Sequence, residues 1–238
     1  QWRFHEDWQS RVIVPHIAHT IGIWDDLITD WHHWFGLPQG RREEDTNGQF
    51  SYTYRRNDDI ILNHPHPSSG IGDTRIAISR AIPYNGHQLT SHIEIKAPTG
   101  NSETLTGSGA WDWSAGVGWE RGSGTTFGAV LSFATLNITY LGKTTSNLST
   151  IQKRKVISAR GGLHWHALDW MSLTAQLDGH SPLYDSSTKA LGGSSLQLTL
   201  GGRFFLTSKQ RLDLSIGEDL NTKISPDFVV NMALSYRF

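Results

Sequence analysis

The last thirteen residues, 226–238, constrain the fold of this chain more than any other stretch. Every even position from 228 to 238 carries an apolar side chain, and the odd positions are polar or small except for Val229. Side chains alternate between the two faces of a β-strand, so the pattern predicts a strand with one apolar and one polar face. The apolar positions are Phe228, Val230, Met232, Leu234, Tyr236 and Phe238.

A chain that ends on such a strand needs a partner for the apolar face. At the edge of a soluble sheet, an exposed aromatic strand is an aggregation hazard. In bacterial outer-membrane β-barrels the apolar face meets lipid and aromatic residues sit at the membrane interface. We therefore interpret 226–238 as the closing strand of such a barrel. Tyr236 and Phe238 are then the expected assembly signal for the barrel assembly machinery.

The composition agrees with a membrane barrel and excludes other classes. No run approaches the roughly 18 apolar residues that a membrane-spanning helix needs. The mean hydropathy of −0.38 suits strands that face lipid with alternate residues only. The chain has no cysteine and a net charge of −1, so a thiolate metal site is excluded and nucleic acid is not an expected partner. The expected location is the outer membrane of a Gram-negative bacterium.

Strands of about membrane-spanning length recur from residue 69 onward, and their connections are alternately short and long. This alternation is typical of outer-membrane barrels, which have tight periplasmic turns and longer external loops. With residues 2–20 as a first strand, we predict an all-β, transmembrane, antiparallel up-and-down β-barrel of about ten strands, as one domain over 1–238. The later strands are 71–84, 87–98, 110–121, 125–141, 155–168, 170–182, 194–207, 210–220 and 226–238, with tight turns at 84–87, 121–124, 167–169 and 207–209.

Parity along each strand assigns side chains to lipid or to the lumen. The side chains predicted to face lipid are Trp111, Trp113, Val117, Trp119, Ile157, Leu163, Trp165, Leu196, Leu198, Leu200, Phe204, Leu212, Leu214 and Ile216. The side chains predicted to line the lumen are Arg75, His92, Glu94, Lys96, Asp112, Arg160, His164, His166, Asp178, His180, Arg203 and Asp213, to which Asp73, Glu120 and Asp219 are added at the strand ends. Both signs of charge are present, so ion pairs inside the lumen are expected.

Residues 23–35 change the period from that of a strand to that of a helix. Their apolar side chains fall on one stripe at about 100° per residue, and Gly36 with Pro38 ends the pattern. We predict an amphipathic helix outside the membrane. With the Tyr-rich hairpin that follows, residues 21–63 are expected to fold over the external mouth as a lid, because the stripe needs burial. The stripe is Trp24, Leu27, Ile28, Trp31, Trp34 and Phe35.

Two stretches resemble known families. Asp30-Trp31-His32-His33-Trp34-Phe35-Gly36-Leu37-Pro38, followed by a charged loop and the Tyr-rich hairpin, resembles the signature of an uncharacterised bacterial family that is expected to be outer-membrane. Ile95-Lys96-Ala97-Pro98-Thr99-Gly100, with Leu105-Thr106-Gly107-Ser108-Gly109 and Asp112, is similar to a looser motif in the transporter-like barrels of the phenol meta-cleavage pathway. The resemblance implies a barrel in the outer membrane but no established activity. It also implies a further hairpin before Gln1, which would make about twelve strands.

Histidines and serines raise the alternative of metal or enzyme chemistry. His164 and His166 share a face at strand spacing, with Asp178 and His180 expected on the next strand, which suits either a metal or a hydrogen-bonding network. We favour the network, and we expect neither a metal nor a cofactor. Ser158 and Ser172 lie near this group by parity, but nothing marks either of them as an activated nucleophile.

The basic run Lys153-Arg154-Lys155 lies at the external end of a strand. It could meet the phosphates of lipopolysaccharide through charge-assisted hydrogen bonds, or it could be a solvated loop base. Outer-membrane lipid and lipopolysaccharide are expected partners of any such barrel.

The expected function is a passive channel or a binding protein for a small solute, with its mouth restricted by the lid. Two alternatives remain at the level of sequence. One is an outer-membrane enzyme that acts on lipid or peptide through Ser, His and Asp. The other is a structural barrel or a partner in an envelope complex.

Overall fold

The computed structural model of the protein describes residues 2–21, 25–36, 50–126, 128–221 and 228–237. Fifteen strands dominate these ranges, with one helix of eleven residues, α1 (Asp25–Phe35), one of four, α2 (Lys189–Gly192), and a 3₁₀ turn at Asn147–Thr150. The strands are β1 (Trp2–Arg3), β2 (Trp8–Ile13), β3 (His16–His19), β4 (Tyr52–Arg56), β5 (Asp59–His64), β6 (Ser68–Ile71), β7 (Thr74–Tyr84), β8 (His87–Ala97), β9 (Asp112–Thr125), β10 (Gly128–Tyr140), β11 (Lys155–Leu168), β12 (Met171–His180), β13 (Ser195–Phe205), β14 (Gln210–Asp219) and β15 (Phe228–Tyr236).

Eleven of these strands form one sheet in the order β1-β2-β7-β8-β9-β10-β11-β12-β13-β14-β15. From β7 onward, each strand pairs antiparallel with the next strand in the chain, which is the meander of an up-and-down barrel. β4 and β5 form a separate hairpin, and β3 pairs with β6 in a second small ribbon.

The side chains follow the predicted alternation. Outward side chains such as Ile93, Trp113, Ile157, Leu200 and Met232 are large, apolar and exposed. Inward positions carry most of the polar side chains, so the few fully buried apolar residues do not form a soluble-type core. A sheet with a continuous apolar outer surface and a polar interior is suited to lipid on its outer surface and water in its interior.

The long connections that lie within the described residues meet at one end of the sheet. Residues 98–111, 141–154 and 181–194 lie there, and hydrogen bonds to these connections hold β3, β6 and the β4–β5 hairpin at the same end. We call this the long-connection end. The tight turns after β7, β9, β11 and β13 lie at the opposite, short-turn end. None of the helices in the described ranges is long and apolar enough to cross a membrane.

The structure corrects the prediction of one strand over 2–20. The chain leaves the large sheet after Ile13, and His16–His19 pairs with β6 instead. Pro15 has no N–H to continue a ladder, and its carbonyl accepts a bond from the N–H of Gly72 at 2.8 Å. A Cβ at Gly72 would collide with Pro15 and Ile17, so this bend requires glycine.

The tight turn predicted at 121–124 is also wrong. Gly122 and Gly124 lie inside β9 and pair with Leu131 and Ala129, and the chain reverses between Thr125 and Gly128. Gly128 has a φ of +115°, a conformation that residues with a Cβ rarely adopt. Glycine composition marked the region of the turn, but the backbone conformation of one glycine decided its position.

The edges of the large sheet are β1 and β15. β1 pairs with β2 through Trp2 and Arg3 only. Among the described residues, no ladder joins β15 to β1 or β2, so the direct pairing that would close the barrel at about ten strands is absent from these ranges. The further hairpin expected before residue 1 stays a prediction.

Candidate functional site

The large sheet curls around a central cavity of about 880 Å³. Residues from both ends of the strand order line it, from Gln9 and Arg11 of β2 to Gln197 of β13 and Val229 of β15. The sheet therefore encloses the cavity as a barrel wall. Seven of the predicted lumen residues line this central cavity, namely Arg75, His92, Glu94, Glu120, Arg160, Asp178 and His180.

Five charged side chains in the central cavity form two groups of ion pairs. Glu94 lies 3.5 Å from Arg11 and 3.8 Å from Arg75. Asp178 pairs with Arg160 and also accepts a hydrogen bond of 2.6 Å from Gln176. The three arginine side chains are 54–55% exposed, against 19% for Glu94 and 25% for Asp178. The guanidinium groups are thus the more accessible charges.

A hydroxyl and amide surface separates the two groups of charges. Asn137 is its central member, and its Nδ2 donates to Ser158 Oγ at 3.5 Å. The Oδ1 of Asn137 is buried and accepts no hydrogen bond from the described part of the chain. A Cβ at Gly116 would collide with this oxygen and with His92, so the glycine makes room for both side chains. The other hydroxyl side chains on this wall are Ser79, Thr90, Ser114, Thr135 and Thr139.

Apart from Ser158, these uncharged residues were missed by reasoning from charge alone. The signal that could have found them is the same parity that assigned Arg75 and His92, because odd positions of β10 and even positions of β11 face inward. Arg11 was missed because 2–20 was interpreted as one strand without an assigned face.

A second, smaller cavity of about 300 Å³ lies at the long-connection end, and Lys96 and Asp112 line it. Lys96 Nζ lies 2.8 Å from Asp73 Oδ2 and 2.7 Å from Asp112 Oδ2, and it also donates to Ser108 Oγ. All three charged side chains are at most 12% exposed. We call Asp73, Lys96, Ser108 and Asp112 the outer cluster.

The outer cluster explains the looser of the two sequence motifs. Asp73 accepts bonds from the backbone N–H of Gly100 at 3.0 Å and of Ser108 at 2.9 Å, so the 98–111 connection folds around this carboxylate. A Cβ at Gly107 would collide with Asp73 and with Gly100. Asp112 accepts the N–H of Gly142 at 2.9 Å and thereby ties in the 141–154 connection. The motif therefore builds a hydrogen-bonded network that holds the 98–111 and 141–154 connections together at the long-connection end.

Two groups in these connections have shifted pKa values. Burial alone would raise the pKa of Asp73, but hydrogen bonds from Lys96, Ser108 and Gly100 outweigh burial and hold the pKa below its ordinary value of 3.8. Burial raises the pKa of Tyr184, although the nearby charge of Lys96 opposes this. At neutral pH Asp73 in the outer cluster is therefore ionised, and Tyr184 in the 181–194 connection is neutral.

Four predicted lumen residues lie toward the short-turn end and line neither cavity. Arg203 donates to Asp213 at 2.9 Å, and Asp213 also accepts from Arg211 at 2.9 Å. His164 shares a hydrogen bond of 2.7 Å with Thr174 and stacks on Phe133 at 4.8 Å. His166 shares a bond of 3.0 Å with Ser172. These four residues are on the inward face of their strands by the ladder register.

The groups considered for metal or enzyme chemistry do not converge. In the described ranges, no three His, Asp or Glu side chains come together as ligands for a metal. His180 Nδ1 is bonded to the carbonyl of Ser181 at 2.9 Å, away from His164. Ser172 contacts His166 rather than His164, while Asp178 pairs with Arg160. These contacts of Ser172, His164, His180 and Asp178 therefore do not link a serine, a histidine and a carboxylate as a catalytic triad does.

Part of the predicted lid lies outside the described residues. Trp24, the side chain of Ile28 and the loop 37–49 are not described. In α1, Trp31 contacts Phe35 with 4.3 Å between ring centroids, whereas Leu27, Trp34 and Phe35 are exposed. The hairpin β4–β5 is anchored by a bond of 3.0 Å between Tyr54 Oη and Ser186 Oγ. The structure thus places the hairpin at the long-connection end, and burial of the helix stays a prediction.

Comparison with known proteins agrees with the fold. A crystal structure of an outer membrane channel from Pseudomonas putida F1 superposes with a TM-score of 0.58, at 16% sequence identity, over 71% of this chain and 67% of that chain. No curated protein matches the sequence. The shared fold, together with the strand order, confirms the predicted outer-membrane type of antiparallel β-barrel.

The family comparison covers the whole chain. A single family model, described as "Protein of unknown function (DUF3187)", matches residues 1–238. The expected resemblance to an uncharacterised barrel family is confirmed, since a full-length match leaves no segment of the sequence outside it. This chain, with its meander barrel and polar interior, belongs to the family DUF3187.

Proposed function

We propose that the protein is an outer-membrane β-barrel that acts as a passive channel or a binding protein for a small solute. The observation that carries the proposal is the polar central cavity of about 880 Å³ enclosed by a sheet with an apolar outer surface. The fold shared with an outer membrane channel supports it. In this proposal the chain is not an enzyme.

The solute is hydrophilic. The described side chains that line the central cavity are mainly arginines, carboxylates, hydroxyls and amides, and the rings among these described side chains are histidines. Such a wall offers hydrogen bonds to a polar solute, whereas an apolar solute would have to desolvate these groups without replacing their partners.

The long-connection end faces the cell exterior in this proposal, as in other outer-membrane barrels. Solute would enter past the outer cluster and reach the central cavity, where Arg11, Arg75 and Arg160 present accessible donors. Residues 21–63 are proposed to restrict the external mouth. The bond between Tyr54 and Ser186, which holds one part of this segment at that end, supports the restriction.

Single-channel conductance in a planar bilayer tests the proposal. Asn137→Tyr should reduce conductance, because the larger side chain projects into the central cavity. Leu136→Tyr is the matched control, since Leu136 is on the opposite face of the same strand and is 53% exposed. Equal conductance in both variants and the parent would show that ions do not pass through this cavity.

Removal of residues 21–47 tests the lid separately. Conductance or small-solute uptake should rise while the barrel still assembles. Unchanged conductance, together with quenching of Trp31 and Trp34 by brominated lipid in the intact protein, would place α1 in the membrane instead of over the mouth.

A further inference from the structure

We propose that the basic run Lys153-Arg154-Lys155, together with Tyr140, is a binding site for the phosphate groups of outer-leaflet glycolipid. The site is on the lipid-facing surface of the barrel and is separate from the central cavity. The proposal requires that the barrel spans the outer membrane, but it does not require that the barrel conducts.

The ladder places this site at the boundary of the apolar surface. Trp113, Tyr140 and Lys155 are cross-strand neighbours on β9, β10 and β11. The next outward row toward the short-turn end contains Ile138 and Ile157, which are 52% and 53% exposed. Along the outer surface an aliphatic row is therefore followed by a row with aromatic side chains and Lys155, and then by Lys153 and Arg154 in the connection. A lipid presents acyl chains, interface and phosphate in the same order.

Arg154 is held in position by Tyr140. The guanidinium carbon lies 5.0 Å from the centre of the Tyr140 ring, and Nη2 donates to Tyr140 Oη at 3.1 Å. The backbone carbonyl of Arg154 accepts the N–H of Leu141 at 2.8 Å. A guanidinium has five N–H donors, so this contact leaves others for a phosphate oxygen. Prior orientation of the donor lowers the entropy lost on binding.

The run has no acidic counterpart in the described part of the chain. Lys153, Arg154 and Lys155 are all exposed, and none of them forms an ion pair with a described carboxylate. The inward arginines behave differently: Arg11, Arg75, Arg160, Arg203 and Arg211 each pair with Asp or Glu.

One carboxylate lies in the neighbouring connection. The N–H of Asp185 donates to the carbonyl of Ile151 at 2.7 Å, yet none of the ion pairs among the described residues joins the Asp185 side chain to the run. Three cations that lack internal anions, placed directly above an apolar surface, are complementary to an anionic lipid headgroup. Phosphate suits them best, because its oxygens accept charge-assisted hydrogen bonds from both guanidinium and ammonium groups.

Native mass spectrometry of the full chain in detergent micelles tests the proposal with lipid A as the probe. The parent protein should retain bis-phosphorylated lipid A and should retain the same lipid far less after phosphatase treatment. The variant Lys153→Gln/Arg154→Gln/Lys155→Gln should lose retention by roughly fivefold per removed charge, the factor typical of a basic residue at an anionic surface. Inorganic phosphate at millimolar concentration should compete weakly, because it lacks the acyl chains and sugar that contact the row of Trp113 and Tyr140.

A matched variant, Arg55→Gln/Arg56→Gln/Lys189→Gln, removes three exposed positive charges elsewhere and should retain lipid A like the parent. If the triple variant at 153–155 does not assemble, Tyr140→Phe serves in its place, because it leaves the charge intact and removes only the hydroxyl that positions Arg154. The Tyr140→Phe variant should weaken retention of the phosphorylated lipid alone.

Equal retention of phosphorylated and dephosphorylated lipid by the parent would overturn the proposal. Complete competition by inorganic phosphate would assign the run to free phosphate instead and would equally overturn it.

Discussion

Lys96 places one positive charge between two carboxylates at the long-connection end of the barrel. Its Nζ is within 2.8 Å of both Asp73 and Asp112, and all three side chains are nearly buried. A buried pair of like charges is costly unless a cation lies between them. Lys96 therefore links the start of β7, the end of β8, the start of β9 and the 98–111 connection through its contacts with Asp73, Asp112 and Ser108.

Lys96→Met should destabilise the barrel by about 3–5 kcal/mol, because it leaves two buried carboxylates without their cation. Lys209→Met in an exposed tight turn is the control and should change the free energy of unfolding by less than about 0.5 kcal/mol. Denaturant unfolding followed by tryptophan fluorescence measures both. A loss no larger than that of the control would show that the outer cluster does not hold the connections in place.

Asp73 makes this end of the barrel sensitive to acid. Its folded-state pKa lies below 3.8, so its contribution to stability is fully present above that pH and is lost as the pH falls through the folded-state pKa. The stability of the parent should therefore decline below about pH 4. Asp73→Asn should already be less stable at pH 7 and should lose less stability on acidification. Parallel pH profiles for the two proteins would contradict the assignment.

At the scale of the element, β15 has one face toward lipid and one face toward the polar interior of the barrel. Val230, Met232 and Leu234 are 63%, 74% and 69% exposed on its outer face, while Ser235 and Asn231 bond inward to Arg211 and Ser215. Phe238, the other half of the expected assembly signal, lies outside the described residues. Exposure of this size on a strand is favourable only against lipid.

Met232→Arg should impair folding of the barrel in lipid by about 2–4 kcal/mol, because it places a charge near the middle of the apolar outer face. Asn231→Arg is the control, since the neighbouring side chain faces the polar interior. Heat-modifiable migration on gels and membrane yield are the measurements. If the two variants assemble equally well, β15 does not face lipid.

The strands β11 and β12 carry the histidine network. His164→Gln with His166→Gln removes bonds to Thr174 and Ser172 and should cost about 1 kcal/mol for each bond. Conductance should not change, because neither histidine lines the central cavity. The measurements are denaturant unfolding and the metal content of the purified protein. If the parent protein contains stoichiometric zinc or copper and the double variant does not, the histidines form a metal site and the hydrogen-bonding interpretation is wrong.

At the scale of the whole molecule, the meander assigns each connection to one of two ends. Because every strand from β7 onward reverses direction, the tight turns and the long connections cannot share an end. An outer-membrane barrel keeps its long connections outside. The orientation of the barrel in the membrane can therefore be measured by labelling one residue at each end.

The chain has no cysteine, so single cysteines report orientation without background. Thr150→Cys in the 141–154 connection should react with a membrane-impermeant maleimide on intact cells. Ser208→Cys in the tight turn before β14 should react only after the outer membrane is permeabilised. The reverse labelling pattern would show that the barrel has the opposite orientation, with the basic run 153–155 in the periplasm.

The strands and the faces of their side chains could be predicted from the sequence. A period of two is a local property, so Arg75, His92 and Asp178 could be assigned to the interior, and Trp113 and Leu200 to the exterior, without knowledge of the partner strands. Strand boundaries were less accurate where a bend or a turn depended on one residue. Pro15 with Gly72 diverted the first strand, and Gly128 moved a reversal that composition alone placed at 121–124.

The contacts between these residues were decided by the tertiary structure. The register between strands brings Arg11 to Glu94, Lys96 to Asp73, and Arg154 to Tyr140, and no local period encodes those distances. Asn137 became part of the cavity wall only because Gly116 on the neighbouring strand leaves room for it. Alternation along one strand determines which solvent a side chain meets, whereas register and loop folding determine which other side chains it meets.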